Sequence, residues 1–93
     1  MSLLPKDELA KNLSSLSDWE LEGNQIAKLF QLKDFAEALA FVNKVGAEAE
    51  KMDHHPDIFI HSWNKVKITT STHSEGGITK KDFQLAEKIE RLK

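Results

Sequence analysis

Residues 34–72, DFAEALAFVNKVGAEAEKMDHHPDIFIHSWNKVKITTST, change their hydrophobic period once, and that change decides the fold. From Asp34 the apolar residues recur at helical spacing. Phe35, Leu39, Val42, Gly46 and Ala49 make one stripe, with Asp34 placed to cap the start. A helix running to about Met52 follows. Ala38, Phe41 and Val45 widen its apolar side beyond what one sheet contact requires, as a generous core helix would, with a subunit interface as the alternative. Pro56 disfavours a helical conformation at His55, so the chain leaves the helix near Asp53 and becomes extended. Residues 58–63 and 66–72 are then rich in β-branched and aromatic side chains around Asn64-Lys65, which reads as a hairpin.

Working outward, residues 19–21 and 25–31 flank Glu22-Gly23-Asn24, where glycine and asparagine tolerate the positive φ of a tight reversal, so a first hairpin is expected there. Ahead of it, Pro5, acidic Asp7 and Glu8, and apolar Leu9, Leu13 and Leu16 predict a short helix over residues 5–13. Downstream, His73-Ser74-Glu75-Gly76-Gly77 reads as a loop. Thr79 and Asp82 form a capping box with Asp in place of Glu, Ile78 and Phe83 occupy the staple positions, and Ile89 and Leu92 extend a last apolar side. The order α-β-β-α-β-β-α predicts an α+β domain, a four-stranded antiparallel sheet with helices packed on one face.

The chain has 93 residues, room for one domain over residues 1–93 and one core, and a domain so small gains from self-association. Its net charge of -2, with both signs interspersed, offers no electrostatic footprint for nucleic acid or an anionic membrane. There is no cysteine, which excludes a disulfide framework and a thiolate zinc site and suits a reducing cytoplasm. Residues 1–13 lack an apolar signal region, and no later apolar run approaches the roughly 20 residues that span a bilayer. The expectation is a soluble cytoplasmic protein.

Chemistry concentrates at Glu50-Lys51-Met52-Asp53-His54-His55-Pro56-Asp57 and, one hairpin later, at Ser71-Thr72-His73. Histidine donates a proton in one state and accepts one in the other, so two or three around one cleft serve both ends of an elimination. If the hairpin folds back over the helix terminus, His54, His55 and His73 converge. A solvated helix cap is the competing reading of the adjacent pair. His61, inside a strand, reads as a structural or surface residue. Asp53 and Asp57 stand beside the histidines, but none of the spacings of a zinc motif is present, so no metal is expected. Trp19 and Trp63 are able to stack on a flat heterocycle, though core packing is the commoner use. Phe30, Phe35, Phe41, Phe59 and Phe83 are assigned to the core. Gly76-Gly77 lacks the rest of a phosphate loop, and neither a serine elbow nor a cysteine nucleophile occurs.

The residues 50–57 above, then Trp63-Asn64-Lys65-Val66, then Ser71-Thr72-His73-Ser74-Glu75-Gly76-Gly77-Ile78-Thr79 and Lys81-Asp82-Phe83-Gln84-Leu85-Ala86, are together similar to the pterin-4a-carbinolamine dehydratases. The likeness continues more weakly through Trp19 and residues 30–35. It implies an α+β fold assembled into dimers or tetramers. It also implies dehydration of 4a-hydroxytetrahydrobiopterin, or a related pterin, to the quinonoid dihydropterin, in support of aromatic amino acid hydroxylases and without metal or organic cofactor. Carried over by position, His54, His55 and His73 correspond to the essential histidines. Glu50, Pro56, Ser71 and Thr72 correspond to neighbours that shape or bind the pterin, and Asp82 to a further acidic position beside the site. Two departures stand out. Ile58 replaces an aromatic residue found in some members, and the stretch 56–64 is one residue longer, to be absorbed by a β-bulge or a longer strand entry. The resemblance also implies two other roles, as dimerisation partner of a transcription regulator or in molybdopterin metabolism.

Overall fold

In the computed structural model, which describes residues 2–92, the chain runs α1 (Lys6–Ser14), β1 (Glu20–Glu22), β2 (Gln25–Gln31), α2 (Phe35–Met52), β3 (Asp57–His61), β4 (Lys65–Thr70), a 3-10 turn (His73–Glu75) and α3 (Lys80–Glu90). This is the α+β order expected. The strands form one antiparallel sheet in the order β1-β2-β4-β3. Local chemistry explains the boundaries. Pro5 sits just outside α1 with extended backbone, and the Asp34 carboxylate accepts the Glu37 N–H at 2.8 Å, capping α2. Gly23 takes φ 61° in the first hairpin, a conformation that costs glycine little.

Cross-strand pairing fixes which side chains share a face. Ile26 pairs with Thr70, Lys28 with Ile68 and Phe30 with Val66, while Ile58 and Ile60 pair with Ile68 and Val66. These residues face the helices. Ala38, Phe41, Val45 and Ala49 of α2, and Phe83, Leu85, Ala86 and Ile89 of α3, complete the core over them. Trp19 joins it edge-on to Phe30 at 6.1 Å between ring centroids. Both staple residues, Ile78 and Phe83, are buried.

Four expectations need correction. The α2 stripe that meets the sheet is Ala38-Phe41-Val45-Ala49, and Phe35 and Leu39 of the other stripe are exposed, Phe35 by 50%. Two apolar stripes on one helix do not say which faces inward. Phe59 is 60% exposed, because strand alternation that packs half-buried Ile58 and Ile60 against the core must turn Phe59 to the open face, where it stacks on His61. Trp63 is also 60% exposed, at the hairpin tip. The second reversal is Ser62-Trp63-Asn64, not Asn64-Lys65, with positive φ at Ser62 and Trp63. No bulge interrupts β3, which pairs with β4 through five consecutive positions. The side chains of β4 therefore keep their faces through to Thr70.

Candidate active site

The end of α2 aims its first histidine. Asp53 takes the left-handed conformation at φ 50°, and the His54 N–H returns to the Ala49 carbonyl at 3.1 Å, closing a Schellman-type cap. Pro56 then starts the extended run into β3. On the other wall, Thr72 and Gly77 bridge across the 3-10 turn, Gly76 takes φ 73°, and His73 is held at the rim. Between the walls lies a cleft of about 500 Å³ lined by Asp53, His54, His55, Pro56, Asp57, Ser71, Thr72, His73, Ser74, Glu75 and Lys81. Its size falls in the range of small-molecule clefts, about 300–1,000 Å³.

The three histidines meet there in unlike surroundings. His54 is buried, and its Nε2 lies 2.7 Å from Asp82 Oδ1. A carboxylate only accepts, so Nε2 carries the proton and Nδ1 is left without a bond among the described residues. His55 is exposed, with Nε2 2.5 Å from Glu50 Oε2. His73 is exposed and makes no side-chain hydrogen bond among the described residues. Pro56, Ser71 and Thr72 line the cleft, whereas Glu50 stands outside it and reaches it through His55.

Asp82, the acidic position beside the site, is fully buried and does not line the cleft. Its Oδ1 accepts from His54 Nε2 and from Thr70 Oγ1, both at 2.7 Å, and its Oδ2 from Thr72 Oγ1 and the Thr79 N–H, both at 2.9 Å. The capping box of α3 is thus part of the site. With about four acceptor positions filled, the carboxylate is satisfied in the interior as an oriented anion. Ile58, Trp19 and Trp63 do not line the cleft, so no aromatic wall replaces the expected stacking residue. Asp53, Asp57, Ser74, Glu75 and Lys81 were not assigned to the site from sequence, although all but Glu75 adjoin a residue that was. No three His, Asp or Glu side chains among the described residues converge as a metal-ligand set.

A family model described as pterin 4 alpha carbinolamine dehydratase matches residues 2–92. The chain belongs to that family. Among its pterin-4-alpha-carbinolamine dehydratase relatives, all so described provisionally, the one from Nostoc sp. is 49% identical over 90 residues, 97% of this chain and 96% of its own. That from Sulfolobus acidocaldarius is 43% identical over 89 residues, 96% and 97% of the two chains. A crystal structure of a transcriptional coactivator/pterin dehydratase from Brucella melitensis superposes with TM-score 0.89 at 36% identity, covering 96% of each chain. A pterin dehydratase-like protein described as a RuBisCO assembly factor in the alpha-carboxysome shares the fold alone, with TM-score 0.65 at 20% identity over 80% of this chain and 84% of that one.

Proposed function

We propose that this chain is a lyase that dehydrates a 4a-hydroxytetrahydropterin, 4a-hydroxytetrahydrobiopterin or a close relative, to the quinonoid dihydropterin. The observation that carries the reading is the convergence of His54, His55 and His73 on one cleft with a buried carboxylate behind the first. The reaction breaks the bond from C4a to oxygen, delivers a proton to the departing hydroxyl, removes the proton on N5, and leaves water and a C4a–N5 double bond. One acid and one base suffice. His54 is oriented by Asp82, its Nδ1 without a bond among the described residues, and His73, exposed at the rim, makes no side-chain hydrogen bond among them. These two divide the proton transfers, and His55, braced by Glu50, positions the pterin with Pro56, Ser71 and Thr72. Asp82 holds His54 and does not touch substrate. No metal or organic cofactor enters the scheme.

The test is the rate at which purified protein accelerates the loss of ultraviolet absorbance from a 4a-hydroxytetrahydropterin generated in situ, beside His54→Ala. Acceleration by the wild type that falls about a hundredfold or more in the variant supports the reading, since a positioned acid or base contributes about 10²–10⁴-fold. Folded wild-type protein that matches buffer alone overturns it. A second reading, a dimerisation partner of a transcription regulator, is favoured by the exposed Phe35 and Leu39 on α2 and by the coactivator description of the Brucella melitensis protein. It leaves the histidine cleft without a use.

A further inference from the structure

Thr70 ends β4 with its side chain on the sheet face that meets the helices, two residues beyond fully buried Ile68 and opposite fully buried Ile26. Packing alone asks for an aliphatic residue here. Thr70 is 2% exposed and does not line the cleft, so it meets neither solvent nor substrate. A hydroxyl at such a position needs a partner, and it has one in Asp82 Oδ1, to which it donates at 2.7 Å.

That oxygen is the one that holds His54. The two oxygens of Asp82 are served differently. Oδ2 is fixed by Thr72 Oγ1 and by the Thr79 backbone N–H, donors that also build the start of α3. Among the described residues Oδ1 has only Thr70 and the His54 ring that it must orient. Without the hydroxyl, the carboxylate is free to twist about its Oδ2 anchor, and the imidazole follows it or releases it. The Thr70 oxygen is also 3.5 Å from His54 Nε2, too long to compete for its proton but close enough to keep water from that edge.

We propose that Thr70 is a positioning residue that fixes Asp82 Oδ1, and through it the Nε2–H tautomer of His54, so that Nδ1 is the ring nitrogen presented to the pterin. The inference rests on the dehydratase reading for its kinetic consequence, but its structural consequence stands apart from that reading. Thr70→Val keeps volume and branching and removes only the donor, whereas Thr70→Ser keeps the donor. The expected result for Thr70→Val is a kcat about tenfold lower at unchanged KM, the low end of what partners behind an active histidine contribute. Thr70→Ser should stay within about threefold of wild type, since it retains the hydrogen bond. In ¹⁵N spectra of histidine-labelled protein, His54 should show the Nε2–H tautomer in wild type and Thr70→Ser, and a mixture of tautomers in Thr70→Val.

A Thr70→Val protein with wild-type kcat and an unchanged His54 spectrum overturns the inference, as does a Thr70→Ser protein as impaired as Thr70→Val. If Thr70→Val does not fold by circular dichroism, Thr70→Ala removes the same donor without the added methyl contacts and is read by the same criteria. If wild type does not dehydrate the pterin, the dehydratase reading fails, and the tautomer comparison still decides the role of Thr70.

Discussion

Asp82 shows how one side chain serves folding and chemistry together. It caps α3 through the Thr79 N–H and holds His54 through its other oxygen, so its replacement should disturb both. Asp82→Asn brings N–H donors against donors already in place and leaves buried groups unpaired. Destabilisation of about 3 kcal/mol is expected by urea titration, together with at least a tenfold fall in the dehydration rate of the protein that remains folded. An activity per folded molecule equal to wild type would deny it the orienting role. The other histidines should separate in steady-state kinetics. His73→Ala lowers kcat by about 10²-fold as a lost acid or base. His55→Ala, which removes a positioning contact, raises KM with kcat largely kept. Their candidacy was legible in the sequence because Pro56 fixes the junction after His54-His55 and β4 delivers His73 one hairpin later. The depth of Asp82 and the part played by Thr70 were not. Both depend on how the start of α3 meets the end of β4, a contact that no local pattern encodes.

At the scale of elements, the cleft lies where α2 ends and where β4 gives way to α3, and the opposite end of α3 is tied down by a buried cation. Lys28 of β2 faces the helices, donating from Nζ to the Ser17 carbonyl at 2.9 Å and to Glu90 Oε2 at 2.7 Å, and Trp19 Nε1 donates to the same oxygen at 3.0 Å. One ion pair thus joins the approach to β1, the sheet and the end of α3. Lys28→Met removes the buried cation with its bonds to the Ser17 carbonyl and Glu90, so it should cost about 1–3 kcal/mol in chemical denaturation. Adding Glu90→Gln should cost less than the sum of the two single changes, as expected for residues in contact. Activity per folded molecule should not change, since neither residue lines the cleft. Additive losses would show that the pair acts through separate contacts. The elements themselves were largely readable: Asp34, Gly23, Pro56 and the Thr79–Asp82 box each announce a boundary by their own chemistry. Lys28 was not, because a lysine inside a strand pattern is ordinarily assigned to the solvent side, and only the position of Glu90 makes its burial tolerable.

The whole molecule leaves large apolar side chains uncovered. Leu3, Leu21, Leu29, Phe35, Leu39, Phe59 and Trp63 are all exposed, and Phe35 and Leu39 lie together on α2 beside half-buried Val42 and Gly46. A chain of this size has little core to spare for such exposure, and the α2 stripe has the spacing of a helix that packs against another. A second copy of the chain is the cover that the family resemblance leads one to expect. Light scattering should therefore give a mass of at least twice the 10.6 kDa of one chain. Phe35→Lys with Leu39→Lys places two charges in that contact and should return the protein to a monomer. His54, His55 and His73 all line the cleft of one chain, so the monomer should keep at least half the wild-type kcat. Wild-type protein of monomer mass at micromolar concentration would refute the self-association. A monomeric variant that folds but does not turn over would instead mean that the neighbouring copy completes the site, and that the cleft of one chain is insufficient for the elimination.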